Sequence, residues 1–228
     1  MLILAVTSAT ASVGVAIVEF TDGVVETLAE RQIATDRRHA EELVPMIATA
    51  LETASGAAGR SITLGHIDRF AVDVGPGRFT GLRVGLATVR TLALANDTLV
   101  TGVSSLEALA AAHADSTVTA VVDARRAEVF QQTFTVDHAG RPVPLGDPFV
   151  GPPGDAVDAI GDDDLVVGDG ADRYTDLYGD LRVAGCEPSP VVIARLAAER
   201  AGVVGSAVLP MYLRDPDVQI NIKTRHNT

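Results

Sequence analysis

The chain has 228 residues, enough for one large domain or two small ones, and 47% of them are apolar. Tryptophan is absent and aromatics make up only 4%, so the core must be aliphatic. With 18 basic against 30 acidic residues the net charge is −12, which repels phosphate backbones over most of the surface and leaves only a local basic patch as a route to nucleic acid.

One cysteine, Cys186, can build neither a disulfide framework nor a CxxC zinc site. The expectation is a reduced, cytoplasmic protein. The apolar opening Met1–Val6 is short and lacks a basic leader, so it reads as a strand rather than a signal peptide. No apolar run approaches the roughly 18 residues that span a bilayer, and no membrane partner is expected.

In chain order, Leu2–Val6 is a strand followed by the small-residue turn Thr7–Thr10. Ser12–Glu19 alternates like a strand, Asp22-Gly23 signals a hairpin, and Val24–Ile33 follows, giving an antiparallel meander. A helix runs from an Asp36 N-cap to about Thr53, with apolar residues on more than one stripe, which suggests a second contact besides its own sheet. Arg69–Val74 is a strand broken by Gly75-Pro76-Gly77, and Thr80 caps a helix to about Asn96. Leu99–Val103 is a strand, and a further helix reaches about Ala114.

The plan then restarts. Thr117–Asp123 and Ala127–Val136 are strands around an Ala124–Arg126 turn, Pro142–Val150 is extended, Leu165–Val167 is a strand, and Pro190–Ala201 is the last clear helix. Carboxylates Asp162–Asp164 read as a solvated loop, and the tail Val208–Thr228 as partly mobile. Ile3–Val15 and Ala120–Phe130 match in outline, Thr7 against Asp123. A duplicated meander-plus-helix unit points to an α/β, actin-like (ASKHA, ribonuclease H-like) fold, with units at 1–103 and 104–205 and a tail at 206–228. Nucleotide in that fold sits between the halves, which places Thr7, Ser8, Thr10, Gly75, Asp123, Gly168 and Gly170 as cleft residues.

Gly75–Gly85 is a glycine-rich turn entering a helix. It is either an anion cradle or simply a tight β–α turn, being neither a Walker A loop nor a GxGxxG fingerprint. Gly77, Gly81 and Gly85 recur every four residues on one face. Glycine inside a helix costs about 1 kcal/mol against alanine, and close approach of another helix is the usual compensation. A Gly81→Leu chain is accordingly expected to fold and to lose a helical partner.

The stretch Gly75–Gly85 resembles the GPGxFTGxRxG signature of the TsaB (YeaZ) family. Ile3–Thr10 resembles that family's opening strand and turn, and His39 with Leu43-Val44-Pro45 its H-x3-[IL]-L-P helix. Gly102–Leu106, Val122–Arg125 with Glu128–Phe130, and Pro210–Arg214 resemble its GVSTL, IDAR-x-x-EVY and PVYLR segments. The resemblance implies a non-catalytic subunit in the synthesis of threonylcarbamoyladenosine at adenosine 37 of tRNAs reading ANN codons. It implies pairing with the catalytic relative TsaD through His39, Leu43, Val44, Ile47, Gly77, Thr80, Gly81, Arg83 and Gly85. The ATPase TsaE would be a further partner, tRNA would be met through the complex, and the same helices would self-pair into a homodimer when the partner is absent.

The resemblance also implies what is missing. TsaD holds a metal partly through an H-x-x-x-H pair, and the corresponding place here is Ser105–Leu109, with histidine at neither end. No two of His39, His66, His113, His138 and His226 stand four apart, so no metal site is expected. Kinase-like members of the fold hold Mg²⁺ with a first-turn Asp, and this chain has Thr7. Asp123 reads as a turn cap. The chain is therefore expected to have no catalytic residue and no cofactor of its own, with ATP or ADP at the partner interface the remaining option. The competing readings are a small-molecule kinase or ATPase of the same fold, which Thr7 opposes, and a glycoprotease, for which no nucleophile–base set is present.

Overall fold

The computed structural model describes residues 1–22, 24–35, 38–179 and 182–214. Strands β1 (Leu2–Thr7), β2 (Ser12–Thr21), β3 (Val24–Ala34), β4 (Arg69–Asp73) and β5 (Leu99–Val103) form one sheet in the order β3-β2-β1-β4-β5. The meander β1–β3 is antiparallel, while β4 and β5 run parallel to β1. Every residue of β1, LILAVT, is buried, as a central strand covered on both faces requires.

One face of this sheet is covered by α1 (His39–Ala58) and α2 (Phe79–Ala95). Leu4, Val6, Leu43, Ile47, Phe70, Leu82 and Val89 meet in that aliphatic layer. On the other face, α6 (Pro190–Ala198) places Ile193, Ala194 and Ala197 against Ile3, Ala5 and Ala71. Between them in the chain lies α3 (Ser105–Ala110), whose Leu106 and Leu109 face the second sheet instead.

The second sheet repeats the first. Strands β6 (Ser116–Arg125), β7 (Glu128–Val136), β8 (Pro142–Pro144), β10 (Leu165–Val167) and β11 (Arg182–Val183) order as β11-β10-β6-β7-β8, and β9 (Phe149–Gly151) pairs with β7. Read from the other edge, this is the first sheet's path, with β6 in the place of β1 and β10 in that of β4. The mixed α/β fold is the expected actin-like one. Helix α6 lies in the 104–205 segment, yet it packs on the first sheet.

Several local expectations change. Helix α1 begins at His39 with Arg38 at the N-cap, and Asp36 lies outside the described residues. Helix α2 begins at Phe79, so Thr80 is already inside it and does not cap. The helix expected to reach Ala114 ends at Ala110, because a turn leads directly into β6. Residues 208–214 are fastened rather than loose: Met211 N donates to the Val74 carbonyl at 2.7 Å, Arg90 bonds the Val208 carbonyl, and Val208 is buried in the first core. The remainder of the expected mobile tail, 215–228, lies outside the described residues.

The β6–β7 turn is unusual. Arg125, Arg126 and Ala127 have φ of 62°, 56° and 61°, three successive non-glycine residues in the left-handed region. A two-residue hairpin loop of the primed type needs positive φ at both centres, normally met by Asn or Gly. Here Arg126 and Ala127 adopt it at a cost of about 1 kcal/mol or more each.

Candidate functional site

The ends of β1 and β4 meet the N-terminus of α3 at Asp73. Its carboxylate is fully enclosed and accepts three hydrogen bonds: from Thr7 Oγ1 at 2.9 Å, Ser105 Oγ at 2.6 Å and the Gly75 amide at 2.9 Å. Burial pushes its pKa above the ordinary 3.8, and those three donors pull the other way. Thr7, where a kinase-like chain has its magnesium carboxylate, is thus committed to Asp73. Ser105, which the resemblance sets against the first histidine of the catalytic relative's pair, is committed to it as well. Sequence reasoning missed Asp73. The available signal was a carboxylate closing the apolar run Phe70–Val72 just before the glycine-rich turn.

The second half repeats the device. Asp169, in α4 (Asp169–Arg173) just after β10, accepts from the Asp123 amide at 2.9 Å, as Asp73 accepts from Thr7. Asp123 is itself buried and paired with Arg125 and Arg173, each at 3.4 Å, and it accepts from the Arg125 amide.

The remaining cleft residues are likewise occupied by their own chain. Ser8 Oγ donates to the Gly81 carbonyl at 2.9 Å, and Thr10 Oγ1 to Glu187 Oε2 at 2.5 Å. Ser12 Oγ also donates to Glu187, so this carboxylate ties the segment before α6 to the first turn. Burial raises the pKa of Glu187, and the nearby charge of Asp169 raises it further. Gly168 and Gly170 are buried against Val121–Asp123, where a Cβ would overlap the strand's own atoms. Gly75, with φ 92°, packs on Leu82 and the Met211 carbonyl. The cleft is thus filled by hydroxyls and carboxylates, and two of those carboxylates would repel a phosphate there. Among the described residues no cluster of three or more His, Cys, Asp or Glu side chains has a metal-binding arrangement.

The glycine face of α2 is also explained from within. A Cβ on Gly77 would overlap the Ala9 carbonyl, one on Gly81 the Ser8 carbonyl, and one on Gly85 the Ser8 hydroxyl. The backbone that approaches α2 is this chain's own Ser8–Ala9 turn, anchored by Arg78 N donating to the Ala9 carbonyl at 2.6 Å. The expectation that these glycines admit a partner's helix, and that Gly81→Leu would leave the chain folded, is corrected. His39 is buried with its Nε2 3.2 Å from the Thr10 carbonyl, and Leu43 and Ile47 are core residues. Of the nine expected interface residues, Val44, Thr80 and Arg83 stand on the surface, Gly77 is half-buried, and His39, Leu43, Ile47, Gly81 and Gly85 are buried beneath.

Among the residues that α1 and α2 expose are Val44, Phe79 and Arg83. Val44 is 60% exposed and Phe79 52%. The Arg83 guanidinium stacks 3.7 Å above the Phe79 ring, and Phe79 in turn lies 5.8 Å from Tyr212. A cavity of about 490 Å³ opens beside Phe79 and Arg83, bounded by the start of α2, the β6–β7 turn and Met211–Arg214.

A family model described as "TsaD: tRNA N6-adenosine threonylcarbamoyltransferase" matches residues 22–150. The tRNA threonylcarbamoyladenosine biosynthesis protein TsaB of Escherichia coli is 33% identical over 144 residues, 61% of this chain and 58% of that protein. YeaZ from Pseudomonas aeruginosa superimposes with a TM-score of 0.77 at 26% identity, over 92% of this chain and 100% of that one.

The chain belongs to the TsaB (YeaZ) family.

An uncharacterized protein of Mycobacterium tuberculosis is 34% identical to this TsaB-family chain over 221 residues, 95% of the chain and 93% of the relative. The match therefore runs through both halves and is not confined to the glycine-rich segment. No helix of the described residues is long and apolar enough to cross a membrane.

Proposed function

We propose that this chain is a non-catalytic subunit of the cytoplasmic system that makes threonylcarbamoyladenosine at adenosine 37 of tRNAs reading ANN codons, and that it acts by pairing with a TsaD-type catalytic subunit. The reading rests on family membership together with the fate of two positions. Ser105 and Thr7, where catalysis in this fold would need a metal ligand and a magnesium carboxylate, both donate to the enclosed Asp73.

The pairing surface in this reading is the outer side of α1 and α2, with Val44, Thr80 and Arg83 exposed over a buried layer of His39, Leu43 and Ile47. The same surface pairs two copies of the chain when the catalytic subunit is absent. A TsaE-type ATPase is a further partner. ATP or ADP belongs at the partner interface, since Glu187 and Asp169 stand in this chain's own cleft. The kinase or ATPase alternative is disfavoured by Thr7.

The test is depletion of the chain in its own cytosol, with threonylcarbamoyladenosine in bulk tRNA measured by mass spectrometry. Pull-down of the tagged chain from the same cells reads the partner. The modification should fall, and a TsaD-type protein should co-purify. Unchanged modification would refute the reading, as would threonylcarbamoyl transfer by the purified chain alone.

A further inference from the structure

The cavity beside Phe79 reverses the charge of the molecule. The chain carries −12 overall, yet the cavity is lined by Arg78, Arg83, Arg125, Arg126 and Arg214 against a single carboxylate, Asp123. Asp123 is buried and already paired with Arg125 and with Arg173 from α4, so its charge is offset where it meets the cavity. Arg214 is paired with Glu128 and bonds the Ala124 carbonyl, which fastens the rim. Arg83, Arg125 and Arg126 are exposed.

The strained turn adds to this. Residues 125–127 occupy backbone conformations that glycine or asparagine would adopt at little cost, and two of the three are arginines aimed at the cavity. Arginine is the side chain that binds phosphate oxygens in a fixed fork. Two half-exposed aromatic rings also line the cavity, and with a guanidinium already stacked on one of them they make a platform for a planar base.

We propose that this cavity binds one nucleotide unit of an unpaired RNA strand, its phosphate held by Arg125 and Arg126 and its base stacked on Phe79 and Tyr212. The chain then contacts tRNA directly, at the edge of the α1–α2 face, and not only through its complex. This rests on the proposed function for the identity of the RNA. An open cavity lined by both arginines and half-exposed aromatic rings suits a strand that continues past it, and that favours RNA over a free nucleotide.

The test uses the isolated full chain and a fluorescently labelled tRNA anticodon stem–loop, followed by anisotropy across a salt series, with ATP as a separate ligand. The wild type should bind, more weakly as salt rises. Replacing both turn arginines (R125A with R126A) should weaken binding at least about tenfold and make the log–log salt slope shallower by about 0.7, the loss of one phosphate contact on a single strand. Phe79→Ala should weaken binding without changing that slope. Arg141→Ala, an exposed arginine paired with Glu199 away from the cavity, should change neither. No RNA binding by the wild type at low salt, equal binding by the double variant, or binding of ATP without RNA would each overturn the proposal. Failure of the proposed function alone would look different: RNA binding would persist while tRNA modification in the depleted cells stayed normal.

Discussion

Ser8 and Gly81 are joined at a point where no side chain fits: the serine hydroxyl donates to the glycine carbonyl at 2.9 Å, and the serine carbonyl occupies the space where a Cβ on residue 81 would stand. Two effects compete on substitution. Gly81→Ala gains about 1 kcal/mol of helix propensity. Against that, the overlap is with backbone, which cannot rotate away, and overpacking of this kind costs about 3 kcal/mol. The net expectation is a loss of about 2 kcal/mol, read by urea or thermal unfolding. Gly56→Ala is the internal control. It sits in α1 with nothing within 4 Å of its Cβ position, so propensity acts alone and the variant should gain about 1 kcal/mol.

Val44→Glu probes the proposed pairing surface without touching the core. Val44 is 60% exposed, so stability should change by about 0.5 kcal/mol or less. Association with the catalytic subunit should weaken at least about tenfold, because a buried unpaired charge costs more than 1.4 kcal/mol. Isothermal titration or co-purification from cytosol measures this, and unchanged affinity would move the interface elsewhere.

Much of the fold was legible because periodicity survives burial. The strands β1, β4, β5 and β10 fall within a residue of their expected bounds, and the strand order of the second sheet repeats that of the first. The site was less legible because its partners are distant in sequence. Glu187 meets Thr10 across 177 positions, and nothing around Cys186-Glu187-Pro188 announces it. The glycines at 77, 81 and 85 do mark a close approach, but spacing alone says nothing about whose backbone arrives. His39 and Leu43 matched a family pattern, and such patterns preserve buried residues as readily as surface ones.

Thr7→Val keeps the shape of the side chain and removes its donor to Asp73. A hydrogen bond to an enclosed carboxylate is worth about 2 kcal/mol, so unfolding free energy should fall by about that much. Ser105→Ala should behave alike. Because both hydroxyls serve one carboxylate, the double variant should depart from the sum of the two, a coupling that a double-mutant cycle measures directly.

Acidity should favour this fold over part of its range. Asp73, Asp169 and Glu187 all have pKa values raised by burial. A carboxyl raised in the folded state binds its proton more tightly there than in the unfolded chain. Its contribution is therefore complete below the ordinary value, 4.5 for Glu187, and is lost as pH climbs through the raised one. Glu187→Gln removes one such group. Relative to wild type it should gain stability as pH rises from about 4 toward neutrality, measured by thermal unfolding over a pH series. A difference independent of pH would show that Glu187 does not titrate in that window.

The stretch from Val208 to Arg214 works as a belt. It closes on the first sheet at Val74, on α2 at Arg90, and on the second sheet at Ala124 and Glu128. A chain cut after Arg214 would keep all four fastenings, whereas one cut before Val208 would lose this segment that buckles both sheets and α2 together, and with it one side of the arginine-lined cavity.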